Sequence, residues 1–179
     1  MTQFKAMAPN VEVNGETVLS VVDAMGSFKG VGLGILAEHG LENVQPRQWY
    51  PQQAWLDAFQ TIANKVGVAT LAAIGKAIPD NAKWPPQVDT LEKALASIDV
   101  AYHLNHRGGE IGSYKFESTG PKSGKMICRN PYPSEFDQGL ISATARKFAP
   151  NGTFPAVKLD ATAPTRKKGA DSCTYLITW

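Results

Sequence analysis

Cysteine is scarce in this chain, with two thiols in 179 residues. Two cannot build the disulfide framework of a small secreted scaffold. No CxxC pair occurs, which excludes a redox dithiol motif and a four-cysteine zinc site. A surplus of one charge is lacking as well. Lys and Arg number 18 against 16 Asp and Glu, so nothing draws the chain toward nucleic acid or an anionic membrane surface. No stretch approaches the ~20 apolar residues of a membrane-spanning helix. The longest, Val66 to Ile78, is interrupted by Gly67, Gly75 and Lys76. Met1 to Pro9 carries one lysine and no apolar core of the kind an export signal needs. With both thiols unpaired, a cytoplasmic setting is expected.

What is present suffices for a folded unit. Hydrophobic residues make up 43% of the chain, and at this length about two-thirds of the unfolded surface can be buried without staples. One domain over 1–179 is expected, with a helical part at 1–107 and a sheet part at 108–179. In the first part, Thr17 to Met25 and Gly30 to His39 read as two short helices broken at Gly26-Ser27. Pro51 suits a first helical turn. Trp55, Phe59, Ile62 and Val66 then recur at steps of four, three and four, one apolar stripe facing a core. A helix over Thr70 to Ile78 should stop at Pro79. Asp89, with Glu92 in capping-box spacing, opens another. Leu91, Leu95, Ile98 and Tyr102 form its stripe, and it should run to about Arg107 before Gly108-Gly109.

From Gly112 the period changes. Ser113 to Ser118 alternates as a half-buried strand does, and residues 119–124 read as a turn. Lys125 to Arg129 would return. Ser134 can cap a helix carrying Phe136, Leu140, Thr144 and Phe148, with Asp137 favouring its N-terminal dipole. Ala156 to Asp160 and Cys173 to Trp179 are two further strands. The order predicts an α+β fold: N-terminal helices on a four-stranded antiparallel sheet, strand-strand-helix-strand-strand.

Three constellations carry chemistry. Asp99, His103 and His106 share one helix face if the helix reaches Arg107. Two imidazoles and a carboxylate there suit a divalent metal or acid–base work, or simply a solvated edge. Cys128 and Cys173 sit among apolar strand residues and read as buried structural thiols, although a histidine brought near by the fold would make one a nucleophile. The aromatic residues, among them Trp84, Tyr102, Tyr132 and Phe136, either fill a core or line an apolar pocket. The glycine-rich stretch 26–34 matches neither a phosphate loop nor a dinucleotide fingerprint. Arg166-Lys167-Lys168 reads as a solvated turn.

The C-terminal part carries a resemblance. Asn130-Pro131-Tyr132-Pro133 leads into a helix with Phe136-Asp137-Gln138-Gly139. A strand follows, and then Arg166-Lys167-Lys168-Gly169-Ala170-Asp171-Ser172-Cys173-Thr174-Tyr175-Leu176-Ile177. Over residues 126–179 this resembles the closing segment of the 4-vinyl reductase domains, in a broader group with haem-NO-binding-like and transport-particle-like domains. The resemblance implies the helices-on-sheet fold already read from the pattern. It also implies a sensor module holding a hydrophobic or aromatic ligand between helices and sheet. Some members hold zinc through cysteines, one of them eight positions before the last. Here that position is Thr165, so no metal is expected. The haem-binding relatives use a Tyr-x-Ser-x-Arg motif that this sequence does not contain, so no cofactor is implied. A small-ring hydrolase family with a similar Gly-to-Cys ending is a more distant resemblance.

The leading expectation is therefore a small-molecule-binding regulatory domain with Trp84, Tyr102, His103, His106, Cys128, Tyr132 and Phe136 around a small apolar or aromatic ligand. Such a domain would act through a homodimer or a signalling partner protein. The alternatives are a small reductase or hydrolase using Asp99, His103 and His106 with Cys128 nearby, and a pure assembly protein.

Overall fold

The computed structural model describes residues 3–179. Met1 and Thr2, the start of the segment read for an export signal, lie outside the described residues. Strand β1 (Glu12–Asn14) passes straight into helix α1 (Gly15–Asp23), where Asn14 Oδ1 accepts the Thr17 amide at 2.9 Å and caps the first turn. A 3-10 turn at Gly26–Phe28 leads into α2 (Lys29–Glu38). Strand β2 (Trp49–Pro51) then delivers Pro51 to the start of α3 (Gln52–Val66). Trp55, Phe59 and Ile62 are fully buried, as their spacing predicts, and Val66 packs at the margin.

Helix α4 (Val68–Asn81) turns away from α3 at Gly67, whose φ of +93° strains any residue with a β-carbon. It does not stop before Pro79 but carries that residue in its final turn. Side chains from outside anchor this turn. The Pro79 carbonyl accepts the Trp84 indole N–H at 2.8 Å and the Lys147 ammonium at 2.9 Å.

Helix α5 spans Leu91–Leu104 and is capped by Thr90, not Asp89. Leu91, Leu95, Ile98 and Tyr102 are all buried. The expected continuation to Arg107 does not occur. Asn105 turns its side-chain amide back onto the Ala101 carbonyl at 2.8 Å, and its own carbonyl accepts the Asn14 amide at 3.1 Å. His106–Arg107 becomes strand β3 and pairs with β1, Val13 opposite His106. Chain pairing outweighs one further helical turn, since a strand partner satisfies the same backbone groups.

The main sheet has the expected strand, strand, helix, strand, strand order. Strands β4 (Ser113–Gly120), β5 (Ser123–Arg129), β6 (Ala156–Leu159) and β7 (Cys173–Thr178) are arranged β4-β5-β7-β6, antiparallel throughout. Helix α6 (Ser134–Lys147) lies between the second and third strands in sequence. This is an α+β fold, as the pattern implies. A second sheet, β2-β1-β3, is not visible in the sequence pattern, because two- and three-residue strands are too short to display alternation.

Helices α4 and α6 touch backbone to backbone. A β-carbon on Gly75 would lie 2.2 Å from the Phe136 carbonyl oxygen, and one on Gly139 would lie 2.2 Å from that of Ala72. This contact fixes α6 over α4 and sets the separation of the helices around the site.

Candidate functional site

A cavity of about 270 Å³ opens between α1, α4, α5 and α6 and reaches the top of the sheet. Its size sits near the lower end of small-molecule sites. Ile98, Tyr102, Tyr132 and Phe136 form the inner wall, and Trp84 closes one side from the loop after α4. Trp84 is held by its bond to Pro79 and by an edge contact with Phe148, ring centres 4.8 Å apart. At the rim, Val100 and Leu104 are 60% and 72% exposed. No carboxylate lines the cavity among the described residues, and Lys83 is the one lysine or arginine among them that does.

Two buried side chains organise the wall. His106 donates from Nδ1 to the Tyr102 carbonyl at 2.8 Å, since a carbonyl only accepts. Its Nε2 is then the lone-pair nitrogen and accepts the Tyr132 hydroxyl at 2.7 Å. Burial lowers the His106 pKa to about 4, against the carbonyl bond that raises it and with the nearby His103 lowering it further. At neutral pH the imidazole is uncharged. Tyr102 donates to the Ile111 carbonyl, and Tyr132 stacks obliquely on Phe136 at 5.5 Å. These aromatic groups are polar at their tips and apolar toward the cavity.

Beneath Tyr132 lies the charge network that the sequence concealed. Arg166, expected in a solvated turn, is 3% exposed and ion-paired with the fully buried Asp137. Its guanidinium also donates to the Tyr132 carbonyl at 2.8 Å and to both oxygens of Asn130. Asp137 further accepts the Tyr114 hydroxyl at 2.6 Å. It is a member of this network and not merely a dipole partner at the helix start. Ser134 likewise is not the cap of α6. Pro133 holds that position without a side-chain bond, while Ser134 Oγ meets Cys173 Sγ at 3.2 Å.

The structure sorts the expected site residues. Trp84, Tyr102, His106, Tyr132 and Phe136 converge on the cavity. His103 does not. It projects from the outer face of α5, 49% exposed, beside Asp99. Cys128 is also outside the lining, buried in β5 between Tyr114 and Cys173 on neighbouring strands. Burial pushes its thiol pKa up. The joint face of Asp99, His103 and His106 is broken, because α5 ends before His106. Asp99 instead accepts the Tyr114 amide at 2.7 Å and pins β4 to the helix. No group of three His, Cys, Asp or Glu residues with metal-holding geometry occurs among the described residues.

No family model matches this chain, and no curated protein does. Solved structures do. A point mutant of T. tengcongensis H-NOX is similar over 92% of this chain and 96% of its own, with a TM-score of 0.69 at 15% identity. The S. oneidensis H-NOX protein in its Fe(II)NO ligation state covers 92% and 97%, at 0.68 and 13%. The unliganded Fe(II) H-NOX protein from K. algicida covers 92% and 95%, at 0.62 and 15%. The fold is therefore the one these H-NOX structures share. The likeness runs through the helical part as well as residues 126–179.

The fold raises the question of haem, and the residues present do not fit it. Tyr132-Pro133-Ser134-Glu135-Phe136 stands at the turn into α6 and keeps the Tyr and Ser of the Tyr-x-Ser-x-Arg motif. The arginine position is Phe136, 6% exposed and edge-on to Phe59 at 5.5 Å. The remaining pair is engaged elsewhere, Tyr132 with His106 and Ser134 with Cys173. Arg166, the buried guanidinium nearby, is committed to Asp137. A haem brings two propionates, and carboxylates buried without partners are strongly disfavoured. Thr165 meets Cys173, Oγ1 to Sγ at 3.4 Å, so the one thiol there has a hydroxyl for its neighbour.

Proposed function

We propose that this chain is a binding domain of the sensory type, holding one small hydrophobic or aromatic molecule between its helices and its sheet. The observation that carries the reading is the cavity itself. Its inner wall is largely aromatic, no carboxylate lines it among the described residues, and its tyrosines and histidine spend their polar groups on one another, on backbone or, for Tyr114, on Asp137 behind the wall. Such a wall recognises an uncharged apolar body. The role is the one implied by the resemblance to 4-vinyl reductase domains, over one domain spanning the chain. Val100 and Leu104 at the rim offer an apolar surface by which a second copy or a signalling partner would register occupancy.

Native mass spectrometry of the protein purified under mild conditions tests this directly. The expected spectrum contains a small-molecule adduct released by collisional activation, on a monomer or dimer. The reading is overturned if the protein carries no adduct and its melting temperature is indifferent to saturating phenol and toluene.

A further inference from the structure

Among the described residues, Thr144 holds the one buried hydrogen-bonding side chain in the cavity wall that has no protein partner. It lies in the interior of α6, is fully buried and lines the cavity. A helical threonine normally returns its hydroxyl to a carbonyl three or four residues earlier. Here Oγ1 makes no hydrogen bond. The other buried polar side chains lining the site are all engaged: Tyr102 with Ile111, Tyr114 with Asp137, and His106 with Tyr102 and Tyr132. A hydroxyl left unpaired in an apolar wall is disfavoured, as burial strips its water without replacing it. That cost persists in a fold when an occupant satisfies the group.

We infer that Thr144 is the specificity-determining residue of the cavity, and that its ligand is an uncharged ring compound bearing one hydroxyl, carbonyl or ring N–H. The inference rests on the cavity being a ligand site. The ligand's apolar body lies against Phe136, Leu140 and Trp84, and its single polar group reaches the Thr144 hydroxyl. A hydroxyl both donates and accepts, so it serves a phenol or a cyclic ketone alike. A carboxylate is not matched at this depth, since Thr144 brings no charge and the one lysine of the lining, Lys83, is exposed on the loop after α4. Recognition of one polar atom is what separates such a site from a cavity that takes any apolar body of the right size.

Phenol and toluene have nearly the same shape and differ at the group in question. Their dissociation constants are measured by isothermal titration calorimetry on the wild type, Thr144→Val, Thr144→Ala and Thr144→Ser. The expected result is a loss of about tenfold in phenol affinity relative to toluene in the valine and alanine variants, the equivalent of one hydrogen bond. Serine should keep the wild-type ratio. Binding of both compounds with a ratio unchanged by valine and alanine overturns the Thr144 assignment alone. Failure of both compounds to bind the wild type overturns the cavity reading, and the assignment falls with it.

Discussion

His106 Nε2 and the Tyr132 hydroxyl meet at 2.7 Å, joining the strand that follows α5 to the turn that precedes α6. The two residues are 26 positions apart. Their bond fixes the tautomer of the histidine and the direction of the tyrosine in the cavity wall. Tyr132→Phe should therefore cost about 1–3 kcal/mol, because it leaves a buried nitrogen unpaired without changing the ring. Urea denaturation checks the magnitude.

The same histidine makes stability depend on pH. Its pKa is lowered to about 4 in the fold, against about 6.5 in an unfolded chain. Between those values the unfolded state binds the extra proton, so stability falls as pH is lowered through the window. From pH 7 to pH 5 the loss from this group is about 2 kcal/mol. His106→Gln should flatten that part of the profile, measured as the urea midpoint against pH.

Arg166 and Asp137 form a buried pair with 1% and 0% of their side chains exposed. Arg166→Met strands a carboxylate and should cost about 3–5 kcal/mol. Combining Asp137→Leu with it should recover part of that loss. Lys167→Ala next door removes a side chain that is 48% exposed, and should change stability by less than about 1 kcal/mol. Thermal unfolding of the three variants beside the wild type separates these outcomes.

Gly75→Ala tests the contact between α4 and α6. The added methyl meets the Phe136 carbonyl at 2.2 Å, and backbone cannot rotate away as a side chain can. A loss of about 1–3 kcal/mol is expected from overpacking. Toluene affinity should fall with it, because the same two helices carry Phe136, Leu140 and Pro79 around the cavity.

Much of the fold was legible because periodicity reports burial directly. The stripes of α3 and α5 each name a buried face, and the alternation of β4 names buried Tyr114 and half-buried Phe116, and the order of elements follows. The small sheet was not legible, since β1 and β3 are held by pairing with distant chain and not by their own pattern. The site was legible by residue type only. Trp84, Tyr102, His106, Tyr132 and Phe136 stand out as aromatic groups, while Thr144 reads as one more position on a helix stripe. Its signal is the missing partner, a property of three dimensions. The partial motif at Tyr132 and Ser134 was present in the sequence, but its third member is a phenylalanine and the match is lost without the fold.

By itself the sequence determined that this is an α+β chain, with two thiols too sparse for a disulfide framework and acidic and basic residues nearly balanced. Those follow from composition and from periods of 2 and 3.6, which depend on neighbours a few residues apart. Only the tertiary structure decided that His106 belongs to a strand, that Arg166 is buried against Asp137, and that His103 and Cys128 stand outside the cavity. The first two turn on partners remote in sequence. Hydrogen-bond satisfaction in a buried setting is settled across the whole fold and leaves no local trace.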